Sequence, residues 1–360
     1  MQRLRFVMGV SVLLALVALG GGFFLFKATT THADASATCN VQYGAFTHSV
    51  AFIEAQARGY FAQQGLTVCY NQVSSSTQQF NSLLSGQYDI VSTTADNVVN
   101  RYVNSQLPVQ IEDGIDEGAG LELIGNTANG IHSIADLKGK PIAVDAPDSG
   151  YVWVLEKILA ENGLSLANND YSLQVIGGSL QRFNAIVAGQ TSTGDPVYAT
   201  ILGTPFSEQA HYVSTLTSLA KFSTYVAPYQ GSSLATTQSY AQQNANTLIK
   251  FITATILGRR FAADPRNKNT VIADIASTFS VSTQIATDIY NDSQSSVNGE
   301  NVDEQLNTQG LINTINLRQE FGGFTQPVNA YALVQPGKKN LYDDEYWRPA
   351  LQRARQICGY

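Results

Sequence analysis

The sequence predicts an α/β protein of two similar lobes, each a mainly parallel sheet flanked by helices, followed by a helical C-terminal region. Three observations carry this. From about residue 41 short β-rich runs alternate with segments of helical period, which is the pattern of β-α-β units and a parallel sheet. The alternation starts afresh near Lys140. The second series also echoes the first at an offset of about 100 residues, a period too long for a solenoid unit and suited to a repeated lobe.

The elements follow in order. Val41–Tyr43 begins a strand, and Val50, Ile53, Ala57 and Phe61 then recur at helical spacing up to Gly65. Leu66–Tyr70 reads as a strand, Phe80, Leu83 and Leu84 as a helix stopped by Gly86, and Tyr88–Val91 as the next strand. In the second series Pro141–Val144 is a strand and Tyr151, Val154, Leu155, Ile158 and Leu159 form one helical face ended by Gly163. Leu173–Ile176 is a strand, and Leu180, Phe183 and Val187 a helix ended by Gly189. Ala62–Thr67 parallels Ala160–Ser165, and six of the twelve residues in Ser76–Gln87 recur in Ser179–Gln190. Gly-rich, acidic Ile111–Gly120 reads as a crossing between the lobes, and a second crossing is expected near Thr200–Phe206. Asn246–Phe261 is expected as an amphipathic helix stopped by Asp264-Pro265, and Tyr342–Trp347 as a C-terminal helix docking its aromatics on a lobe.

With 360 residues, 44% of them hydrophobic, the chain has material for about two domains, and its net charge of −7 argues against nucleic acid as a partner. Arg3 and Arg5 precede an apolar run from Phe6 to Phe26, followed by Ala33-Asp34-Ala35. This is the layout of a secretory signal. The run's 21 residues at about 1.5 Å each would also span a bilayer as a retained anchor. A buried core helix is the third alternative; the first two place the body outside the cytoplasm, where cysteines pair. Cys39, Cys69 and Cys358 leave two alternatives, a Cys39–Cys69 bridge or free thiols.

The four histidines, His32, His48, His132 and His211, show no metal-ligand spacing, and no nucleophile elbow, P-loop or dinucleotide fingerprint is present. No cofactor, metal or catalytic residue is expected. Polar residues gather instead where strands hand over to helices, the edge of a parallel sheet at which ligands bind. Five such loops stand out: Gly44–His48, Ser74–Thr77, Thr93–Asn97, Asp145–Tyr151 and Gly177–Ser179. A helix N-terminus adds free N–H donors and a positive dipole end.

Three motifs then carry a resemblance. Gly59-Tyr60-Phe61-x-x-x-Gly65-Leu66-x-Val68 leads to Leu84-x-Gly86-x-x-Asp89-Ile90. Asp136-Leu137-Lys138-Gly139-Lys140-x-Ile142-x-Val144 is the second, and Arg182-Phe183-x-x-Ile186-x-x-Gly189 the third. In this order, over about residues 40–260, they resemble the nitrate/sulfonate/taurine-type solute-binding proteins of ABC importers. The resemblance implies the two-lobed periplasmic-binding-protein fold of type II, closing on one solute by hinge motion. It implies a small-molecule solute and a membrane ABC permease as partners, with no chemistry performed. The expected division is 1–35 export signal or anchor, 36–114 first part of lobe 1, 115–203 lobe 2, and 204–360 the rest of lobe 1 with the C-terminal helices. Nothing in the sequence asks for an oligomer, so a monomer is expected.

Carried over by position, the resemblance implies Thr47, Ser76, Thr94, Ser149 and Ser179 as cleft hydroxyls at helix N-termini. Phe46, His48, Tyr151 and Arg182 lie in or beside the same loops; Tyr43, Phe46, Tyr151 and Trp153 have the ring area to stack on a flat ligand. Asp96, Asp145 and Asp148 share these loops, with Asp116 in the crossing. Carboxylates repel an anion unless they are paired, for instance with Arg182, so they point to a neutral or cationic solute such as a pyrimidine or an amine. Asp96, Asp116 and Asp148 join the ligand set on that ground. Two rivals share the fold or its location: a pyrimidine-synthase-like enzyme with His48 as a reacting group, and a ligand-sensing domain.

Overall fold

A computed structural model describes residues 38–118 and 120–359; the export or anchor segment expected at 1–35 lies outside them. Ten strands build two sheets. Their ranges are β1 Val41–Ala45, β2 Val68–Gln72, β3 Ile90–Thr94, β4 Val109–Gly114, β5 Glu122–Asn126, β6 Pro141–Val144, β7 Ser172–Val175, β8 Ala199–Leu202, β9 Leu216–Lys221 and β10 Ser232–Thr237. The first sheet runs β2-β1-β3-β10-β4 and the second β7-β6-β8-β5-β9. In each, the fourth strand alone is antiparallel to its neighbours: β10 in the first sheet, β5 in the second. These two strands enter their sheets from the opposite lobe, and an incoming chain that has just crossed over inserts in the reverse direction.

The repeat read from the sequence is thus a repeat of topology. Helices Ser76–Leu84 and Ser179–Ala188 leave the equivalent edge strands β2 and β7, and the matched residues begin both helices. Phe80 packs on the first sheet with Val91 and Val98. Its counterpart Phe183 packs beside Val197, Leu202 and Phe206 on the second.

Two expectations are corrected. The second crossing does not lie near Thr200–Phe206. Thr200 belongs to β8, and the chain stays with the second sheet through β9, which pairs with β5 from Glu122↔Lys221 to Asn126↔Leu216. The return runs through 222–231, so the boundary expected at 203/204 falls inside the second lobe. The crossing expected at Ile111–Gly120 begins later too, because Ile111–Gly114 is the end of β4.

Helix Ala245–Ala263 is not amphipathic but buried nearly all round, from Leu248 through Arg259. It lies between helices Val50–Ala57 and Trp347–Cys358. Gly258 sits where it crosses the first of these, and a methyl group there would meet the Ala51 carbonyl. Of the run Tyr342–Trp347, Tyr342 pairs as an isolated bridge with Ile111. Tyr346 and Trp347 are buried in the lobe 1 core as the C-terminal helix starts. Among the described residues no helix is long and apolar enough to cross a membrane.

Cys39 and Cys69 are bridged, with their Cα atoms 5.7 Å apart, while Cys358 is free. The bridge fastens Cys39, just before β1, to edge strand β2 across a sequence separation of 30. In the chain-entropy model a loop of that size is worth about 3–4 kcal/mol. Replacing both cysteines by alanine is therefore expected to lower the free energy of unfolding by that amount, and the urea midpoint with it, measured by urea unfolding. An unchanged midpoint would show that the bridge does not constrain the unfolded chain.

The interior also holds several acidic side chains. Burial pushes Glu54, Asp113 and Glu208 up to about 7 and raises Glu112 and Glu304 well above the ordinary carboxylate range. Between an unfolded value near 4.5 and these folded values, the native state holds protons that the unfolded chain gives up. Stability therefore falls as pH rises through that window. His211, raised by its bond to Glu122, acts in the same direction, and Glu122, whose value is lowered, acts only at more acidic pH. A melting temperature higher at pH 5 than at pH 8 by roughly 5 °C or more is expected. A rise from pH 5 to pH 8 would contradict it.

Candidate functional site

The C-terminal strand edges of both sheets face one cleft, and four of the five loops singled out in the sequence meet there. Phe46 and Thr47 follow β1; Thr93 and Thr94 end β3 and Asn97 follows it; Ser149 and Tyr151 follow β6; Ser179 follows β7, with Arg182 one turn into its helix. They line a chamber with about 720 Å³ of unoccupied space, part of it open to solvent.

Three helices begin at its wall: Ala95–Val103 from lobe 1, and Gly150–Glu161 and Ser179–Ala188 from lobe 2. Their N-cap residues, Thr94, Ser149 and Gly178, make no side-chain cap. In contrast, Ser49 and Ser75 spend their hydroxyls on their own helices. The Thr94 hydroxyl is buried without a hydrogen-bond partner, a costly state for a polar group and one that a ligand oxygen would relieve.

Among the described residues, Arg182 is the one charged side chain on the chamber wall. It is buried, lies over the Tyr151 ring at 4.9 Å, and donates to Gly177 O at 3.0 Å, to Thr200 Oγ1 at 3.2 Å and to Ile201 O. No carboxylate pairs with it among the described residues. Tyr151 is itself anchored, its Oη accepting from the Asp145 amide at 2.9 Å.

The carboxylates that weighed against an anion are occupied elsewhere. Asp96 makes a bidentate pair with Arg318, Nε to Oδ1 at 2.9 Å and Nη2 to Oδ2 at 2.6 Å. Both side chains are 1% exposed. Asp145 accepts from the Ser76 amide of the opposite lobe at 2.8 Å. Asp148 is half exposed and accepts from Asn100 Nδ2 at 3.1 Å, with Arg101 at 3.8 Å. None of the three lines the chamber.

Ser76 is likewise drawn out of the site. Its helix N-terminus takes Asp145 across the lobe boundary instead of facing a solute. Asp116 and His48 line an adjoining recess that shares Thr47, Ser92, Thr204 and Ser232 with the chamber. Asp116 Oδ1 accepts from the amides of Gly118 at 2.8 Å and Ser232 at 3.0 Å, tying the two crossings together. Glu300 in the same recess accepts from the Val50 and Ala51 amides, and burial raises its carboxyl and that of Asp292 above the ordinary range. The His48 ring stacks on Tyr70 at 3.8 Å, and burial lowers its pKa to about 4, leaving it neutral at neutral pH. Of the rings expected to stack on a ligand, Tyr43 is buried in the lobe 1 core and Trp153 lies under Arg318 at 4.7 Å.

Sequence reasoning missed Gly203 and Thr204, Gly231 and Ser232, Ser92 and Leu121 on the chamber wall. Gly203 and Thr204 follow β8 at the same strand edge and carried the signal used for the other loops; their assignment to a crossing hid it. The Gly231-Ser232 segment returns from the second lobe and carries no local signal.

The lobes approach closely beside the chamber. Gly150 N donates to Asn97 Oδ1 at 2.9 Å. A methyl group on Gly150 would lie 2.3 Å from Thr94 Oγ1, and one on Gly178 would lie 3.0 Å from the Val73 carbonyl. Arg318 adds to this contact, its Nη2 donating to Asp148 O at 3.2 Å.

A family model described as "NMT1/THI5 like" matches residues 46–268, more than half of the chain. The chain belongs to the NMT1/THI5-like family. The matched span of this family member runs from the first cleft loop past β10 and so covers every strand but β1. A search of curated protein sequences gives no match.

Among solved structures, the periplasmic nitrate-binding protein NrtA of Synechocystis PCC 6803 is 14% identical with a TM-score of 0.67, over 87% of this chain and 88% of that one. The alkanesulfonate-binding protein SsuA of Xanthomonas axonopodis pv. citri is 14% identical with a TM-score of 0.64, over 86% and 96%. The Candida albicans CA3427 gene product, described as having the generic periplasmic-binding-protein fold, is 15% identical with a TM-score of 0.65, over 84% and 97%. At such identities the likeness is one of fold, and it bears out the two-lobed architecture and the resemblance read from the sequence.

Proposed function

We propose that this NMT1/THI5-like chain is the extracytoplasmic solute-binding subunit of an ABC importer, and that its solute carries an oxoanion head group. The observation that carries the reading is the chamber wall: Arg182 is its one charged side chain among the described residues, and three helix N-termini without side-chain caps converge on it. Charge-assisted bonds from a guanidinium and the positive ends of helices favour an anion. The nitrate- and alkanesulfonate-binding proteins that share the fold support this reading. The expectation of a neutral or cationic solute loses its ground, because Asp96 is spent on Arg318 and Asp145 on the Ser76 amide.

Affinity comes from closing preformed polar loops, and release to a membrane permease from opening them about the two crossings that Asp116 ties together. Export by the N-terminal segment, cleaved or retained as an anchor, places the cleft outside the cytoplasm.

The test is a thermal-shift screen of the purified protein against nitrate, taurine, alkane- and arylsulfonates, pyrimidines, thiamine and amines. A ligand at one hundred times its dissociation constant adds about 2.7 kcal/mol to stability. Saturable stabilisation by an oxoanion and not by amines is the expected result. Stabilisation by amines or pyrimidines alone would overturn the anion assignment, and turnover of any of these compounds would overturn the binding-protein reading.

A further inference from the structure

Phe46 and Thr47 also line a second compartment beside the polar chamber, with about 800 Å³ of unoccupied space, also open to solvent. This compartment is a slot between two aromatic walls. On the lobe 1 side the His48 and Tyr70 rings are stacked 3.8 Å apart at 20°, and Phe279 stands edge-on to His48 at 6.2 Å. On the lobe 2 side Phe183 and Phe206 have their centroids 5.1 Å apart. Phe46 stands where the two compartments adjoin.

Among the described residues, no charged side chain lines the slot. Its remaining lining is amide, hydroxyl and aliphatic, such as Gln72, Asn184, Gln209, Thr278 and Leu180. His48 belongs to the uncharged set, because its burial in this ring cluster leaves it neutral. Leu180, at the rim, is 36% exposed.

We infer that the solute is an organic anion with a flat aromatic tail, its head at Arg182 and its tail between the His48–Tyr70 and Phe183–Phe206 walls. This rests on the oxoanion reading above and adds the tail. The reason is the separation of character between two compartments that adjoin at Phe46 and Thr47: a guanidinium and helix N-termini in one, rings and no charged lining in the other. A small inorganic anion would fill the first and leave the second wet, with ring faces from both lobes exposed to water. A flat tail covers those faces at about 25 cal/mol per Å² of apolar surface and gains the geometric preference of aromatic pairs. Because the two walls belong to different lobes, such a tail also bridges them.

The test is calorimetric titration of the full chain with naphthalene-2-sulfonate, hexane-1-sulfonate, methanesulfonate and uncharged naphthalene-2-methanol, repeated on Phe183→Ala and Phe183→Leu. Naphthalene-2-sulfonate is expected to bind about 30-fold or more tighter than methanesulfonate. Phe183→Ala is expected to remove about 10-fold of that advantage and leave methanesulfonate within about twofold, with Phe183→Leu intermediate. Leu180→Ser, on the exposed rim, replaces Phe183→Ala if that variant does not fold.

Equal affinity for the aryl- and methanesulfonates overturns the tail and leaves the oxoanion reading standing. Equal affinity for hexane- and naphthalenesulfonate overturns its flatness, and equal weakening of every sulfonate by Phe183→Ala overturns the slot's role. Naphthalene-2-methanol binding as tightly as the sulfonate overturns the head group while keeping the slot. Binding by none of the four overturns both.

Discussion

Replacing Arg318 by methionine is expected to destabilise the protein by about 3–5 kcal/mol, the usual cost of removing one partner from a buried ion pair. Asp96 and Arg318 are each 1% exposed, and the guanidinium holds both carboxylate oxygens. Without it Asp96 is left as an uncompensated charge in the interior. The Arg318 fork also donates to Gly323 O at 3.1 Å and to Asp148 O at 3.2 Å and lies over Trp153, so both lobes lose a contact. Urea unfolding of Arg318→Met measures the effect. Adding Asp96→Asn to it is expected to recover a large part, since the amide removes the stranded charge. A loss below about 1 kcal/mol would place the pair among those that contribute little.

Arg182→Gln is expected to weaken binding of the oxoanion solute by about 100-fold, equivalent to about 2.7 kcal/mol, because charge-assisted bonds in a buried site are the strong ones. Glutamine keeps one donor for the Gly177 and Ile201 carbonyls that now hold the guanidinium. The variant should therefore keep its fold, which its melting temperature in the absence of ligand checks. Arg182→Lys retains the charge and loses the planar fork, and should fall between the two. Affinity unchanged in Arg182→Gln, measured by calorimetry with the best anion of the screen, would remove Arg182 from the head-group site.

The cleft illustrates which level of information decides what. Loops such as Thr93–Asn97 and Asp145–Tyr151 were legible in the sequence because the cue is local: a β-rich run, a polar cap residue and a helical period follow one another along the chain. The repeat was legible for the same reason, since Phe80 and Phe183 fill the same place after equivalent edge strands. The charge of the site was not. Whether Asp96 faces a solute depends on Arg318, 222 residues away and carrying no motif of its own. Ser76 looked like a ligand donor until Asp145 of the other lobe took its amide. The second crossing was misplaced because a strand break at Pro205 looks the same whether the chain changes lobe or, as here, returns to the same sheet through β9.

By itself, then, the sequence determined the α/β class, the two repeated lobes and the strand edge at which the polar loops gather, all consequences of short-range periodicity and capping, while its three motifs carried the resemblance to the family. Tertiary structure alone decided which carboxylates are neutralised, which hydroxyls remain free and which rings face each other across the cleft. Those are pairings between groups far apart in the chain, and their energies depend on burial and distance that no local pattern encodes.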